Sequence, residues 1–285
     1  MSTGVIYIAT GSRFVKEACV SAESVKRHMP TMPITIFCDE RVDSPHFDTV
    51  MRIERPRYRL MDKVLHMASS PYEHTLFLDT DTYVCDNVVE LFAILDKFDL
   101  ALAHSTYRAT YRVDGIPDSF PEFNTGVILF KQSPEMTKLF SDWLTLYERD
   151  LQREPRWLHP LEETMLNHDL NDQPTFREAV FHSSVRVASL TPEYNCRFTS
   201  PGFVHNVVKI LHGRHPNMLR IAKLINAQGS RRVHFMRWGK LRMAVGHEPS
   251  KDKTDLFRWS VHHRGVWGTI KVIVQRLRAR WRGSA

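Results

Sequence analysis

The stretch His74-Thr-Leu-Phe-Leu-Asp79-Thr-Asp81-Thr-Tyr-Val84 decides the fold and points to the chemistry. It begins as a short, largely apolar run typical of a buried β-strand, and the run stops at two aspartates separated by one residue. Side chains at positions i and i+2 of an extended chain project from the same side, so these carboxylates repel each other. A divalent cation relieves the repulsion and keeps positions open for phosphate oxygens. The stretch therefore predicts a metal site, and the alternative is a strand end with two solvated acids.

Strand-like and helix-like segments alternate on both sides of this stretch. Strands are predicted over 4–9, 33–38, 50–53, 74–78, 100–103 and 126–130, and helices over 15–28, 60–68, 88–95, 135–151, 162–170 and 173–181. This alternation indicates an α/β fold with a mostly parallel sheet that helices cover on both faces. Ligands bind such sheets at the carboxyl ends of the strands. Polar residues that end strands are therefore the candidate site residues.

The run from Leu76 to Thr82 resembles the Asp-x-Asp strand of nucleotide-diphospho-sugar glycosyltransferases with the GT-A fold, above all those of glycosyltransferase family 8. Five further segments resemble family motifs in the same order. They are 6–10 (first strand), 59–63 (basic helix), 123–127 (Phe-Asn-x-Gly-Val), 171–173 (ending in Asp-Gln) and 210–213 (a strand end with histidine). The ordered set is more specific than any one motif. The resemblance implies a single GT-A domain, which is Rossmann-like with a mostly parallel sheet.

The resemblance also implies roles for individual residues. The metal ligands would be Asp79, Asp81 and His212, holding Mn²⁺ or Mg²⁺. Asp172 and Gln173 would face the reacting sugar, and transfer would retain the anomeric configuration. Contacts to the nucleotide sugar would come from Ala9, Thr10, Gly11, Asp39, Lys63, Asp79, Thr80, Asn124, Thr125, Gly126 and Gly213. The chain departs from the family pattern after His212, so the basic residue that touches the donor phosphates is either Arg214 or none.

Each of these residues also has a simpler interpretation. His205 and His215 lie close to His212 and compete with it as the metal ligand. A lysine on the polar side of a helix, such as Lys63, is commonly a solvated surface residue. Asn-Thr-Gly at 124–126 is also a plain turn signal. Asp172 is also a good N-cap for the helix predicted to follow it.

The C-terminal end is basic. The 285 residues include 39 Lys and Arg against 32 Asp and Glu, and seven of the basic residues but no acid lie in 256–285, which leaves 32 against 32 in 1–255. Apolar residues recur every three to four positions between Val266 and Trp281, so the segment predicts a basic amphipathic helix suited to an anionic membrane surface. Alternatives are a stripe that docks on the protein's own core and a nucleic-acid contact, but Trp267 and Trp281 favour a membrane. The predicted division is a catalytic domain over 1–213, an extension over 214–261 and a membrane helix over 262–285.

These observations combine into one expected function. Ordinary composition, with 42% apolar and 25% charged residues, excludes a disordered chain and a multi-pass membrane protein. We expect a metal-dependent enzyme that transfers a sugar from a nucleotide-diphosphate donor, UDP-linked, to a glycan or lipid-linked acceptor. The first residues form no leader pattern, so we expect a cytoplasmic protein on the inner face of a membrane, without a nucleic-acid partner. The alternatives are a metal-dependent nucleotidyltransferase and a non-catalytic membrane- or nucleic-acid-binding module.

Overall fold

The computed structural model describes residues 2–106, 113–152, 171–227, 231–245 and 253–282. The side chains at 245, 253–256, 258–259, 263–264 and 276–282 lie outside this description. The helix predicted over 162–170 also lies outside the described residues.

Two sets of elements make up the described chain. The strands are β1 Thr3–Ala9, β2 Ile34–Cys38, β3 Thr49–Arg52, β4 His74–Leu78, β5 Thr82–Val84, β6 Leu100–His104, β7 Phe123–Lys131, β8 Val187–Ser189, β9 Cys196–Arg197, β10 Gly202–Val204, β11 Ile210–His212, β12 Arg232–Arg237 and β13 Lys240–Val245. The α-helices are α1 Ser12–His28, α2 Leu60–His66, α3 Pro134–Asp150, α4 Gln173–Phe181, α5 Met218–Ile225 and α6 Lys253–Arg282.

The central sheet has seven strands in the order β3-β2-β1-β4-β7-β6-β8. Every neighbouring pair is parallel except the two pairs that β7 makes. Six strands therefore run the same way, which confirms the predicted α/β fold with a mostly parallel sheet. Because β7 runs the opposite way, it begins at the edge where β1, β4 and β6 end. That reversal brings the start of β7 beside the aspartates that follow β4.

Helices cover both faces of this sheet, because its strands carry apolar side chains on both sides. On one face, Val15, Ala18 and Val25 of α1 pack against β1 and β2. On the other face, α2, α3 and α4 pack together, and Trp143 of α3 meets Phe176 of α4 with ring centroids 4.7 Å apart. Trp143 is fully buried, so its truncation to alanine would cost about 3–5 kcal/mol of stability. Apolar packing on both faces therefore supports the carboxyl edge of the sheet.

Two small sheets extend the domain beyond β8. In one, β11 lies between β5 and β9, and His212 pairs with Thr82. This pairing brings a residue from late in the chain to the aspartates after β4. In the other, β12 lies between β10 and β13, and all pairs are antiparallel. The division of the chain at 213 and 261 stays a prediction.

Several predicted elements differ in detail. The helix predicted over 15–28 begins at Ser12. The strand predicted over 126–130 runs from Phe123 to Lys131, so the turn considered at 124–126 was wrong. The segment predicted as a helix over 88–95 forms a 3₁₀ helix, Val89–Asp96, rather than an α-helix. The helix predicted over 60–68 ends at His66, and the chain continues as the 3₁₀ turn Met67–Ser69. The C-terminal helix begins at Lys253, not at 262. It is interrupted at Gly265, whose φ of 69° glycine adopts readily and other residues adopt only with strain. None of the described helices combines the length and the apolar character that crossing a bilayer requires.

Candidate metal centre

Three potential metal ligands meet at the carboxyl edge of the central sheet. Asp79 follows β4, Asp81 precedes β5 and His212 ends β11. His212 Nε2 lies 3.4 Å from Asp81 Oδ1 and 3.7 Å from Asp79 Oδ2. One ligand atom from each residue lies within 4.8 Å of the other two. The structure thus brings together the three residues that the sequence predicted as ligands.

Asn195 fixes how the histidine ring faces the carboxylates. His212 Nδ1 donates to Asn195 Oδ1 at 2.8 Å, so in the neutral form of the ring the lone pair is on Nε2. Arg197 Nη1 lies 3.3 Å from Nε2, in keeping with an acceptor there. Metal-bound histidines use this arrangement, in which one ring nitrogen donates to a fixed acceptor and the other binds the ion. Two carboxylates and one neutral imidazole suit Mn²⁺ and are compatible with Mg²⁺, so the residues fit a divalent ion.

The two carboxylates differ in their electrostatics. Burial raises the pKa of Asp79, even though Lys63 and His212 favour its ionised form. Burial also opposes ionisation of Asp81, but His212, Arg214 and Arg197 together hold the pKa of that carboxyl well below its usual range. A bound divalent cation would favour ionisation of both groups. The environment of Asp79 and Asp81 therefore suits two carboxylates that share a bound cation better than two carboxylates that are solvated by bulk water.

Lys63 is a buried connector, so its interpretation as a solvated surface lysine was wrong. Its side chain is only 6% exposed, and Nζ lies 2.6 Å from Asp172 Oδ2 and 3.5 Å from Asp79 Oδ1. Nζ also donates to Thr125 Oγ1 at 3.1 Å. Burial lowers the pKa of Lys63, but Asp172 and Asp79 outweigh it and raise that pKa. Lys63 thus stays cationic and ties α2 to the starts of β7 and α4.

Asp172 and Gln173 begin α4 and face this network. Asp172 occupies the N-cap position of α4, as predicted, but its side chain makes no cap hydrogen bond to the helix. Its carboxylate instead contacts Lys63 and accepts from Thr125 Oγ1 at 3.0 Å. Gln173 Oε1 accepts from Asn124 Nδ2 at 2.8 Å, and its Nε2 donates to Glu122 Oε1 at 3.1 Å. Both residues are buried at the sheet edge.

A chain of amides connects the histidine to Gln173. Asn124 Oδ1 accepts from Asn195 Nδ2 at 2.8 Å and from the Gly126 amide at 3.1 Å. Asn195 therefore contacts both His212 and Asn124. Sequence reasoning missed it, because it lies in a loop after the 3₁₀ turn Pro192–Tyr194 and belongs to no recognisable motif. Only the burial of its side chain marks Asn195 as a site residue, and the surrounding sequence does not predict that burial.

Gly126 and Gly213 allow backbone to approach the site closely. A Cβ on Gly126 would lie 1.9 Å from His212 Cε1, so only glycine leaves room for the imidazole. Gly213 has a φ of 134°, and its amide donates to the Asp81 carbonyl at 3.0 Å. Both contacts fix the position of His212 relative to the two aspartates.

The ends of β1 and β2 form the neighbouring part of the edge. Ala9 is buried at the end of β1, and Thr10 Oγ1 donates to Asp62 Oδ2 at 2.7 Å. The Gly11 amide donates to Asp39 Oδ1 at 2.8 Å, with a φ of 90° at Gly11. These contacts hold the loop after β1 in place. Separately, Thr80, between the two aspartates, donates to Glu17 Oε2 at 3.2 Å.

The structure also bears on the open choices among the basic residues. Arg214 Nη1 lies 3.5 Å from Asp81 Oδ2, and Glu17 holds its Nε at 3.0 Å. The guanidinium therefore stands beside the ligands while 47% of the side chain is exposed. His205 contacts Arg231, and His215 accepts from the Asn217 amide. Among the described residues the ligand group includes His212 and neither of its rivals.

Comparison with known proteins gives no family model and no curated protein that matches the chain. Solved structures do match. The glycosyltransferase GlyE of Streptococcus pneumoniae TIGR4 matches with a TM-score of 0.50 and 14% identity, over 75% of this chain and 56% of that one. Its apo form matches with a TM-score of 0.52 and 14% identity, over 76% and 55%. The fold is that of a glycosyltransferase.

This result confirms the predicted GT-A glycosyltransferase fold. The chain spans little more than half the length of the GlyE structures. The galactosyltransferase LgtC, in complex with donor and acceptor sugar analogues, matches with 13% identity and a TM-score of 0.45, over 75% of this chain and 87% of that one. At these identities the glycosyltransferase fold is what the likeness establishes, and the chemistry has to be argued from the residues.

Proposed function

We propose that this protein is a metal-dependent glycosyltransferase that moves a sugar from a nucleotide-diphosphate donor, UDP-linked, to a glycan or lipid-linked acceptor. The supporting observation is that Asp79, Asp81 and His212 converge at the carboxyl edge of a glycosyltransferase-fold sheet. When bound there, Mn²⁺ or Mg²⁺ would neutralise the donor's diphosphate and stabilise the departing nucleoside diphosphate. The protein residues around the ion would position the donor.

The two cations near the ligands have different roles in this proposal. Arg214 is half exposed beside Asp81 and is held by Glu17, so its guanidinium is accessible to a bound diphosphate and can donate to it. Lys63 is buried and already contacts Asp79, Asp172 and Thr125. We assign the phosphate contact to Arg214 and assign Lys63 to orienting the carboxylates.

The donor sugar would lie against the amide network on the other side of the metal. Asn124 offers both a donor and an acceptor, and Asp172 and Gln173 stand next to it at the start of α4. We propose that Asp172 and Gln173 face the anomeric carbon and that transfer retains its configuration, which rests on the likeness of this pair to the family 8 motif. An inverted product, identified by NMR of its anomeric proton, would remove this role from Gln173.

Thermal melting tests the donor and metal directly. We expect Mn²⁺ together with a UDP-sugar to raise the melting temperature by several degrees, because a ligand at about 100 times its Kd adds about 2.7 kcal/mol of stability. Either component alone should give a smaller shift. The screen should include other sugar nucleotides and nucleoside triphosphates. A shift with nucleoside triphosphates alone would contradict the proposal and point to nucleotidyl transfer.

We also propose that α6 attaches the enzyme to an anionic membrane on its cytoplasmic side. Between Val266 and Gln275 the helix buries Thr269, which contacts Ser260, and exposes its apolar side chains except the half-buried Val272. Trp267 is 81% exposed, and the other exposed apolar residues are Val266, Ile270, Ile273 and Val274. The exposure of these residues speaks against the alternative in which the stripe docks on the protein's own core. An exposed apolar stripe on a basic helix fits a bilayer interface.

Vesicle sedimentation tests this attachment. Replacing Trp267 by glutamate should weaken binding to phosphatidylglycerol vesicles at least about tenfold, because it removes an interfacial tryptophan and adds an unfavourable charge. Donor-induced stabilisation should stay unchanged, because Trp267 is 81% exposed and belongs to no part of the ligand group. Vesicle binding equal to that of the unaltered protein would count against the membrane role of α6.

A further inference from the structure

The hairpin formed by β12 and β13 ends in an exposed aromatic and basic tip. Trp238 and Gly239 form its two-residue turn, with φ values of 50° and 69°, which matches the right-handed twist of the strands. Trp238 is 82% exposed. The Arg237 guanidinium carbon lies 4.2 Å from the centre of its ring, and Lys240 pairs with Arg237 across the hairpin. The tip therefore exposes a large amphipathic ring, and the two strand residues that flank the turn are both basic.

The hairpin has one inward and one outward face. Side chains alternate along β12, so Arg232 and His234 are buried, and Met236 packs against the cluster that contains Phe198 and Ile221. The outward face carries an apolar row and a basic row. The apolar row is Phe203 of β10, Val233 of β12 and Ala244 of β13, and the basic residues near the tip are Arg237, Lys240 and Arg242, all exposed.

The surrounding sequence strengthens the basic character of this face. Residues 231–245 contain five Lys and Arg and no Asp or Glu, and all of these basic residues except the buried Arg232 are exposed. The exposed ones give the hairpin a positive potential that no acid of the hairpin offsets, so the face is complementary to an anionic surface. Because the adjacent apolar row is also exposed, a complementary partner must offer apolar surface as well as negative charge.

We propose that this outward face, from Phe203 to the Trp238 tip, is a second membrane-contacting surface that binds an anionic bilayer. Trp238 would lie at the headgroup level, where tryptophan is enriched, and Arg237, Lys240 and Arg242 would contact lipid phosphates. A nucleic acid would satisfy the cations, but its phosphate backbone would give aliphatic Val233 no partner. The proposal extends the membrane role proposed for α6 to another element, and does not depend on the metal site.

Vesicle binding of the full chain tests the proposal. Vesicles of phosphatidylcholine, with and without phosphatidylglycerol, are titrated with Trp238→Ala and with the double variant Arg237→Gln, Lys240→Gln. We expect Trp238→Ala to weaken binding to anionic vesicles several-fold, because it removes an interfacial tryptophan. The double variant should weaken it about 25-fold, since each basic residue contributes about fivefold near the surface. Matched controls are Phe98→Ala, which removes a partly exposed aromatic from a loop, and Lys138→Gln, which removes an exposed charge from α3. Both controls should bind as the unaltered chain does.

A second measurement covers the case in which α6 dominates the affinity. Brominated lipid should quench less of the tryptophan fluorescence in Trp238→Phe than in the unaltered chain, because the lost signal comes from the tip. Equal quenching together with unchanged affinities would overturn the proposal. So would unchanged vesicle binding accompanied by lost binding to single-stranded DNA. Stabilisation by Mn²⁺ and donor should persist in all hairpin variants, so failure of this surface is distinguishable from failure of the proposed transfer activity.

Discussion

Replacing Asp79 and Asp81 together by asparagine should lower metal-dependent hydrolysis of the sugar-nucleotide donor by about a thousandfold or more. The reason is that the two carboxylates supply two of the three ligand groups of the proposed centre. Without the ion, the charge on the departing diphosphate loses several kcal/mol of stabilisation, and each 1.36 kcal/mol corresponds to a factor of ten in rate. The measurement is release of nucleoside diphosphate in the presence of Mn²⁺, with donor concentration varied to separate kcat from KM.

The apo protein should remain folded in this double variant, because asparagine is close in size to aspartate and the buried Lys63 keeps its ion pair with Asp172. Thermal melting without metal checks this and should give a single cooperative transition, at a somewhat lower temperature because Asp81 loses its ion pairs with the neighbouring cations. Asp142→Asn is the matched control, since Asp142 pairs with Lys138 on the outer side of α3. Unchanged hydrolysis in a folded double variant would refute the enzyme proposal itself. Loss of hydrolysis in Asp142→Asn as well would show that the assay reports general damage.

The fold was largely predictable because its signals are local. Apolar runs that stop at polar residues marked β1, β2 and β4, and the spacing of apolar residues marked α1 and α3. The direction of β7 was not predictable in this way. A strand buried on both faces has the same apolar pattern whether it runs parallel or antiparallel to its neighbours. Yet that direction is what places Asn124 beside the aspartates after β4.

The candidate site was predictable where it depends on short motifs. Asp79 and Asp81 stand out by their spacing, and His212 follows from the order of the motifs. The state of Lys63 was not visible, because the local pattern places it on the polar side of α2 while its partner Asp172 comes from far along the chain. A charge becomes buried when a distant element supplies its counter-charge, and periodicity contains no information on that pairing. The same limit applies to Asn195, which only tertiary contacts bring to His212.

Replacing Asn195 by alanine should weaken Mn²⁺ binding about 10- to 100-fold, the usual effect of losing a group that orients a metal-bound histidine. Asn195 Oδ1 accepts from His212 Nδ1, and so holds the ring tautomer whose Nε2 faces Asp79 and Asp81. Alanine cannot accept this hydrogen bond, so the ring gains a second tautomer that offers no lone pair at Nε2. The measurement is electron paramagnetic resonance of free Mn²⁺, titrated with apo protein in the absence of donor.

Asn195→Asp separates the two functions of this amide. A carboxylate still accepts from His212 Nδ1, so Mn²⁺ affinity should return to within a few-fold of the original. It cannot donate to Asn124 as Asn195 Nδ2 does, so the link from His212 through Asn124 to Gln173 stays broken. If that link positions the donor sugar, Asn195→Asp should bind Mn²⁺ normally and still show a raised KM for the donor.

The control for general destabilisation is Asn226→Ala. Asn226 also uses a side-chain amide to hold a loop, through the amide and carbonyl of Val208, but it belongs to no part of the ligand group. This variant should melt at a lower temperature and keep its Mn²⁺ affinity. Equal Mn²⁺ affinity in Asn195→Ala and the unaltered protein would show that Asn195 only fills space. Equal weakness in the alanine and aspartate variants would show that accepting the His212 proton is not its contribution.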